Sequence, residues 1–186
     1  MALTIGINSG FVALAPSVDP DEGDAGMDTR AKVTKDTSPA TAAKITEIGW
    51  YCDNATEEAN FEVGLYAADG AVVPGEAGTL LYSDTINAKG TGVGWKTVSV
   101  DWAISPNTDY WLGIQLDNTT TLTNINYVSS GGAGYDNKTA QTTLTNPFDG
   151  GALADVDAMI SIYAVWEAAV VGMAGAMTTN TGYWGW

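Results

Sequence analysis

Two neighbouring segments with alternating side chains constrain this chain most, because each predicts a β-strand. In residues 96–102 the apolar and polar side chains alternate with a period of two, as they do in a strand that buries one face. Residues 110–116 have the same alternation. Between them, the sequence SPNTD supplies a proline and short polar side chains that favour a turn. Residues 94–116 therefore predict an antiparallel pair of strands, and the other strands of the chain are expected to be partners of this pair.

Further segments with the character of strands lie on both sides of this pair. They cover residues 44–52, 61–67, 79–86, 122–128 and 157–166, and glycine-rich or polar turns separate them. Residues 129–155, which are rich in Gly, Asn and Thr, predict a long loop. Roughly seven to nine short strands without an amphipathic helix predict an all-β fold. The expected architecture is a β-sandwich of jelly-roll or other Greek-key type, with a closed barrel as the alternative.

The sandwich is expected to carry an extended arm at each end. A chain of 186 residues corresponds to one main domain. Residues 1–43 contain an acidic, proline-containing stretch without periodicity and predict an N-terminal arm and loop. Residues 44–167 predict the β-sandwich domain. Residues 168–186 predict a C-terminal arm with an aromatic end.

A cluster of acidic residues in the N-terminal segment resembles a calcium-binding loop in composition. The calcium candidates are Asp19, Asp21, Glu22 and Asp24, with Asp28 close by. Their spacing does not match the EF-hand loop, and the set of oxygen ligands is incomplete. A solvated acidic loop is the expected reading and bound calcium is the alternative, and the sequence predicts no other metal and no cofactor.

The C-terminal arm carries the candidate partner-binding residues. Its sequence, EAAVVGMAGAMTTNTGYWGW, is too short an apolar run to span a membrane. Clusters of exposed aromatic side chains are usually interaction sites. The arm is therefore expected to dock on other proteins or on copies of the same chain through Met173, Met177, Tyr183, Trp184 and Trp186.

Composition argues against several classes of function. The net charge of −15 disfavours binding to nucleic acid or to an anionic membrane surface. Histidine is absent, which removes Ser-His-Asp and Cys-His catalysis. The single cysteine, Cys52, cannot form an intrachain disulfide. No pair of carboxylates stands out by its spacing as the machinery of a glycosidase, so the chain is expected not to be an enzyme.

Some aromatic residues of the predicted strands are candidates for a ligand platform. Trp50 and Trp102 share faces with aliphatic residues and are expected in the core. Tyr66, Trp95 and Trp111 lie on the opposite faces of their strands, where they could stack on the apolar faces of a sugar. These three residues are therefore the candidate platform for a cell-surface glycan.

Three stretches together resemble a known group of domains. They are ITEIGWYCDNATEEANFEVGLYAADGAVVPGEAGTLLY, GWKTVSVDWAISPNTDYWLGIQLDN and ISIYAVWE. Their hairpin and strand pattern resembles jelly-roll domains of bacteriophage structural proteins and of bacterial surface modules, over residues 44–167. The resemblance implies a fold and no catalytic residues, because folds of this kind carry many functions.

The resemblance and the arms lead to two hypotheses of function. The N-terminus lacks the basic region and apolar core of a secretory signal, which favours a virion protein made in the host cytoplasm over a secreted module. The first hypothesis is a structural virion protein, a capsid decoration (cement) subunit or else a tail or fibre component, that forms oligomers. The alternative is a carbohydrate- or receptor-binding β-sandwich module.

Overall fold

The all-β prediction is confirmed: the computed structural model consists of strands and turns, without a helix in the residues that it describes. It describes residues 1–20, 23–27, 29–52, 61–72, 74–86, 92–116, 124–129, 134–149 and 158–169. The strands are β1 (Gly10–Val12), β2 (Gly23–Gly26), β3 (Arg30–Thr37), β4 (Ala42–Cys52), β5 (Phe61–Ala67), β6 (Leu80–Ile86), β7 (Gly94–Ala103), β8 (Asp109–Leu116), β9 (Asn124–Val128), β10 (Tyr135–Thr139), β11 (Met159–Ile160) and β12 (Ile162–Ala168).

The first sheet is built around β4. This strand pairs antiparallel with β12 on one side and with β7 on the other. The short strand β1 extends the sheet beyond β12 in the parallel direction. Near the end of β4, Cys52 pairs with Ile125 of β9, and β9 in turn pairs with β11 and β2. The first sheet is therefore mixed.

The second sheet has the order β10-β3-β8-β5-β6, and every pairing in it is antiparallel. Its central strand is β8, which lies between β3 and β5. Residues 129–155 were expected to be loop throughout, but they contribute the edge strand β10. The sequence of β10, YDNKT, is mostly polar and therefore lacks the apolar alternation that predicts a strand.

The predicted pairing of residues 96–102 with residues 110–116 is wrong. These segments form β7 and β8, which belong to different sheets. The turn at residues 104–108 carries the chain from one sheet to the other. Alternation reports that one face of each strand is buried, and both strands bury that face in the same core. It does not report which neighbour forms the hydrogen bonds.

The main core lies between the two sheets, as in a β-sandwich. Trp50 and Trp102 of the first sheet are buried in it, as predicted. The ring of Trp102 stacks on Tyr82 of the second sheet, with ring centroids 5.6 Å apart and an interplanar angle of 8°. The second sheet supplies aliphatic side chains to the same cluster from Val63, Leu65, Leu112 and Ile114.

The prediction that residues 1–43 form an arm outside the sandwich is wrong for much of that segment. It contributes β1, β2 and β3, and β3 is an interior strand of the second sheet. Val33 of β3 is fully buried on the outer face, whereas Lys32 and Thr34 are buried on the face towards the other sheet. Because β3 buries polar and apolar side chains alike, the hydrophobic pattern that marks a strand is missing from its sequence.

Candidate functional site

Tyr66 and Trp111, two of the three predicted platform residues, are buried. Both lie on the outer face of the second sheet, and two covering segments lie over that face: the first comprises residues 69–72 and 74–79, and the second comprises residues 141–149. The Tyr66 ring packs edge-on against Phe148, with centroids 5.3 Å apart. The Trp111 indole Nε1–H donates a hydrogen bond of 3.1 Å to the carbonyl of Gly75. The platform prediction is therefore wrong for both residues, because strand alternation identifies a face but not the loops that cover it.

Side chains of the sheet hold the second covering segment in place. The Lys138 ammonium donates to the hydroxyl of Thr145 at 3.1 Å and to the carbonyl of Phe148 at 2.9 Å. The carboxylate of Glu62 accepts a hydrogen bond of 2.6 Å from the backbone N–H of Leu144. These bonds satisfy polar groups of the segment where it crosses the sheet. Beneath the segment, apolar side chains on the outer face of the second sheet form a small second core.

A buried carboxyl group lies beneath the first covering segment. Asp136 of β10 is 1% exposed, and its Oδ1 accepts a hydrogen bond of 2.6 Å from the backbone N–H of Asn137. Burial raises the pKa of Asp136 to about 7, and the neighbouring carboxyl of Glu76 acts in the same direction. Lys138 opposes the shift but does not cancel it. Asp136 therefore titrates near neutral pH.

A buried lysine faces the interior of the sandwich. The side chain of Lys32 places its Nζ 5.9 Å from the ring centroids of both Tyr127 and Tyr135. Desolvation lowers the pKa of Lys32 to about 8, and the positive charge of Arg30 adds to the effect. The two rings supply cation–π attraction to a charge that burial disfavours.

Trp95, the third predicted platform residue, is partly exposed on the outer face of the first sheet. Its ring makes edge contacts with Tyr51 and Tyr163 at centroid distances of 5.3 and 5.2 Å. Its Nε1–H donates a hydrogen bond of 3.0 Å to the carbonyl of Val18. The Tyr163 hydroxyl donates to a Glu47 carboxylate oxygen at 2.7 Å. We call this set of four side chains, Tyr51, Trp95, Tyr163 and Glu47, the aromatic patch.

An apolar groove lies where β12 ends beside the start of β4. Its volume is about 470 Å³, and none of its described lining residues is charged. The backbone N–H of Ile104 donates to the carbonyl of Ala43 at 2.9 Å, which fixes the wall that follows β7. The lining residues are Ala40, Thr41, Ala42, Ala43, Ile104, Pro106, Ala168 and Ala169.

Charged residues flank this apolar groove on the sheet. The Lys44 ammonium lies 3.1 Å from a carboxylate oxygen of Asp101 and 3.6 Å from one of Glu167. These carboxylates raise the pKa of Lys44, the hydrogen bond to Asp101 first. An apolar centre with a charged margin is the usual anatomy of a protein–protein interface.

A second, more open groove of about 640 Å³ lies at the turn between β7 and β8. Its polar groups include Asp109, whose carboxylate accepts a hydrogen bond of 2.6 Å from Thr37 and forms an ion pair of 3.3 Å with Lys35. The bond from Thr37 is the largest cause that lowers the pKa of Asp109. Because this carboxylate is engaged within the fold, the groove offers a ligand the exposed side chains of Asp69, Leu81 and Asn107 instead.

The calcium prediction falls mostly outside the described residues. Asp21, Glu22 and Asp28 are not described, and of Asp24 only the backbone in β2 is. Asp19 is exposed, and its carbonyl accepts a hydrogen bond of 2.9 Å from the N-terminal ammonium of Met1. Among the described residues, no group of three or more Cys, Asp or Glu side chains could hold a metal ion.

The predicted partner-binding residues also lie outside the described residues. They are Met173, Met177, Tyr183, Trp184 and Trp186. The last described residue before them is Ala169, which lines the apolar groove.

No protein-family model matches this chain, and neither a curated protein nor a solved structure is detectably similar to it. Within the described part of the chain, no helix is long and apolar enough to cross a membrane. Surfaces that the described residues offer to a partner include the partly exposed Trp95 and Glu47 of the aromatic patch, the open groove beside Asn107 and the apolar groove beside Ala169.

Proposed function

We propose that this protein is a non-enzymatic structural subunit of a bacteriophage virion, first of all a capsid decoration (cement) protein and otherwise a tail or fibre component. In this role the sandwich sits on a lattice of other virion proteins, and the segment that follows β12 clasps a neighbouring subunit. The alternative, a carbohydrate- or receptor-binding module, is supported by a different surface.

The strand order supports a jelly-roll topology, the fold that the sequence resembles. Four neighbouring strands of the second sheet have the order β3-β8-β5-β6, and four neighbouring strands of the first sheet have the order β1-β12-β4-β7. Two four-stranded sheets with strands distributed in this way are typical of jelly rolls, which are frequent in viral capsids. The parallel pairing of β1 with β12 departs from that antiparallel pattern.

The observation that carries the proposed role is the chemistry of residues 170–186 and their point of departure. These residues contain no Lys, Arg, Asp or Glu, in a chain whose net charge is −15. They include Tyr183, Trp184 and Trp186, and residues of these types dominate the binding energy of many protein interfaces. An uncharged segment is the part of an acidic chain that is least repelled by another copy.

The native mass of the untagged full-length protein tests this proposal. We expect self-associated species, dimers or larger, by light scattering at several concentrations. A full-length variant carrying Tyr183→Ser, Trp184→Ser and Trp186→Ser should be monomeric at the same concentrations. If the unmodified chain stays monomeric at every concentration, the assembly role is contradicted.

The aromatic patch supports the alternative function. Trp95 is partly exposed, and the Glu47 carboxylate lies in the same patch, where it could accept hydrogen bonds from sugar hydroxyls. If this is the functional site, a glycan array should show binding that Trp95→Ala abolishes. An array that is negative across broad glycan classes contradicts this alternative.

A further inference from the structure

We propose that the apolar groove beside Ala169 binds the aromatic residues Tyr183, Trp184 and Trp186 of a second copy of this chain. This inference rests on the proposed assembly role and specifies its receiving surface. The groove is open, with Ala40, Pro106 and Ala168 exposed on its walls. Its volume of about 470 Å³ falls within the range of ~300–1,000 Å³ that is usual for ligand pockets.

The groove and the segment match in chemistry. The described lining is made of alanines, Thr41, Ile104 and Pro106, without a charged side chain. Residues 170–186 carry no charged side chain either. Each aromatic side chain can bury ~150–250 Å² of surface, so seating it among small apolar residues removes much apolar area from water. The ion pairs of Lys44 with Asp101 and Glu167 lie beside this apolar lining and form a charged margin.

The position of the groove favours exchange between two copies. Ala168 and Ala169 form one of its walls, so residues 170–186 begin at the groove itself. At ~3.3–3.6 Å per residue, the thirteen residues between Ala169 and Tyr183 can place the aromatic residues up to about 45 Å away. Because each copy has both a groove and an aromatic segment whose start adjoins that groove, two copies can exchange segments reciprocally. Such an exchange closes a symmetric pair with two contacts of the same kind.

Three sets of full-length variants test the inference. Groove variants are Ala40→Glu and, separately, Ala168→Glu, which place a charge on exposed walls of the groove. The segment variant is the combination of Tyr183→Ser, Trp184→Ser and Trp186→Ser. The matched control is Val72→Glu, which adds the same charge at a side chain that is 66% exposed and outside the groove. Circular dichroism checks that each variant keeps the strand content of the unmodified chain.

Both groove variants and the segment variant should weaken self-association by about 30-fold or more, as the loss of an interface hot spot does. Val72→Glu should leave the association unchanged within about threefold. An equimolar mixture of a groove variant and the segment variant contains one intact groove and one intact segment. We expect it to form a one-to-one pair at concentrations where each variant alone is monomeric.

The possible failures are distinguishable. If the unmodified chain never associates, both this inference and the proposed assembly role are overturned. If the segment variant is monomeric but both groove variants still associate, the groove is overturned while the assembly role stands. If the groove variants and the segment variant are monomeric but their mixture does not pair, the intact groove does not bind the intact segment, and exchange between copies is overturned.

Discussion

At the scale of single residues, this fold places ionisable groups where burial shifts their titration. Asp136 lies under a covering segment with its pKa raised to about 7, and Lys32 lies beside two tyrosine rings with its pKa lowered to about 8. A carboxyl group whose pKa is higher in the folded state binds more protons when folded. Its contribution therefore destabilises the fold as pH rises from the unfolded value to the folded one.

We accordingly expect the free energy of unfolding to fall between about pH 4 and pH 7, partly because of Asp136. At 1.36 kcal/mol per pKa unit, the full contribution of this carboxyl is at most about 4 kcal/mol. Asp136→Asn keeps an oxygen that can accept the Asn137 N–H and removes the titration, so its unfolding should depend less steeply on pH. Urea denaturation at pH 5, 6, 7 and 8 measures this. If the free energy of unfolding has the same pH dependence in the two proteins, Asp136 is not the group that titrates. Asp36, whose pKa is also raised, contributes equally in both proteins.

A second residue-scale prediction concerns the close approach of Tyr163 to Gly49. A Cβ at Gly49 would overlap the Tyr163 ring, which is held by its hydrogen bond to Glu47 and its contact with Trp95. Gly49→Ala should therefore destabilise the protein by about 1–3 kcal/mol, as overpacking does. Gly92→Ala is the matched control, because a Cβ there meets no described heavy atom within 4 Å. Thermal unfolding of the two variants compares them, and an unchanged melting temperature for Gly49→Ala contradicts the packing.

At the scale of elements, the covering segments turn the outer face of the second sheet into a second core. Phe148 is fully buried on Tyr66, and the backbone N–H of Phe148 donates a hydrogen bond of 2.8 Å to the carbonyl of Gly78. The two covering segments therefore support each other as well as the sheet. A site for a ligand on this face would require both segments to move.

Truncating Phe148 should open this second core. We expect Phe148→Ala to cost about 3–5 kcal/mol of stability, as deletion of a buried aromatic side chain does. Exposure of Trp111 should follow, and the summed fluorescence of the seven tryptophans should then be quenched more readily by acrylamide than in the unmodified protein. Phe148→Leu refills most of the space and should show a smaller effect on both readouts. If Phe148→Ala leaves stability and quenching unchanged, this segment does not form a core with the sheet.

At the scale of the whole molecule, the net charge opposes any self-association that the apolar groove and residues 170–186 bring about. Copies that each have a net charge of −15 repel one another. Added salt screens this repulsion, and at an ionic strength of 0.1 M the screening length is about 10 Å. Apolar contacts are not screened in this way. Association should therefore strengthen as sodium chloride is raised from about 0.05 to about 0.5 M. Light scattering across this range measures it, and dissociation with salt would point to ion pairs as the main contacts instead.

The sequence by itself determined the strands that alternate between apolar and polar residues, the core positions of Trp50 and Trp102, and the all-β class. These features depend on local periodicity, which the chain carries wherever one face of a strand is buried. It also displays the uncharged aromatic segment of residues 170–186, whose role is still a prediction.

Only the tertiary structure decided which strands pair and which faces are covered. It separated β7 and β8 into different sheets, placed the polar strand β3 inside the second sheet, and buried Tyr66 and Trp111 under segments distant in the chain. It also assembled the apolar groove from three separate stretches, residues 40–43, 104–106 and 168–169. The physical reason is that the periodicity of a strand shows that one of its faces is buried, but does not show which strand or loop covers that face. A groove, in turn, exists only once the stretches that line it have come together.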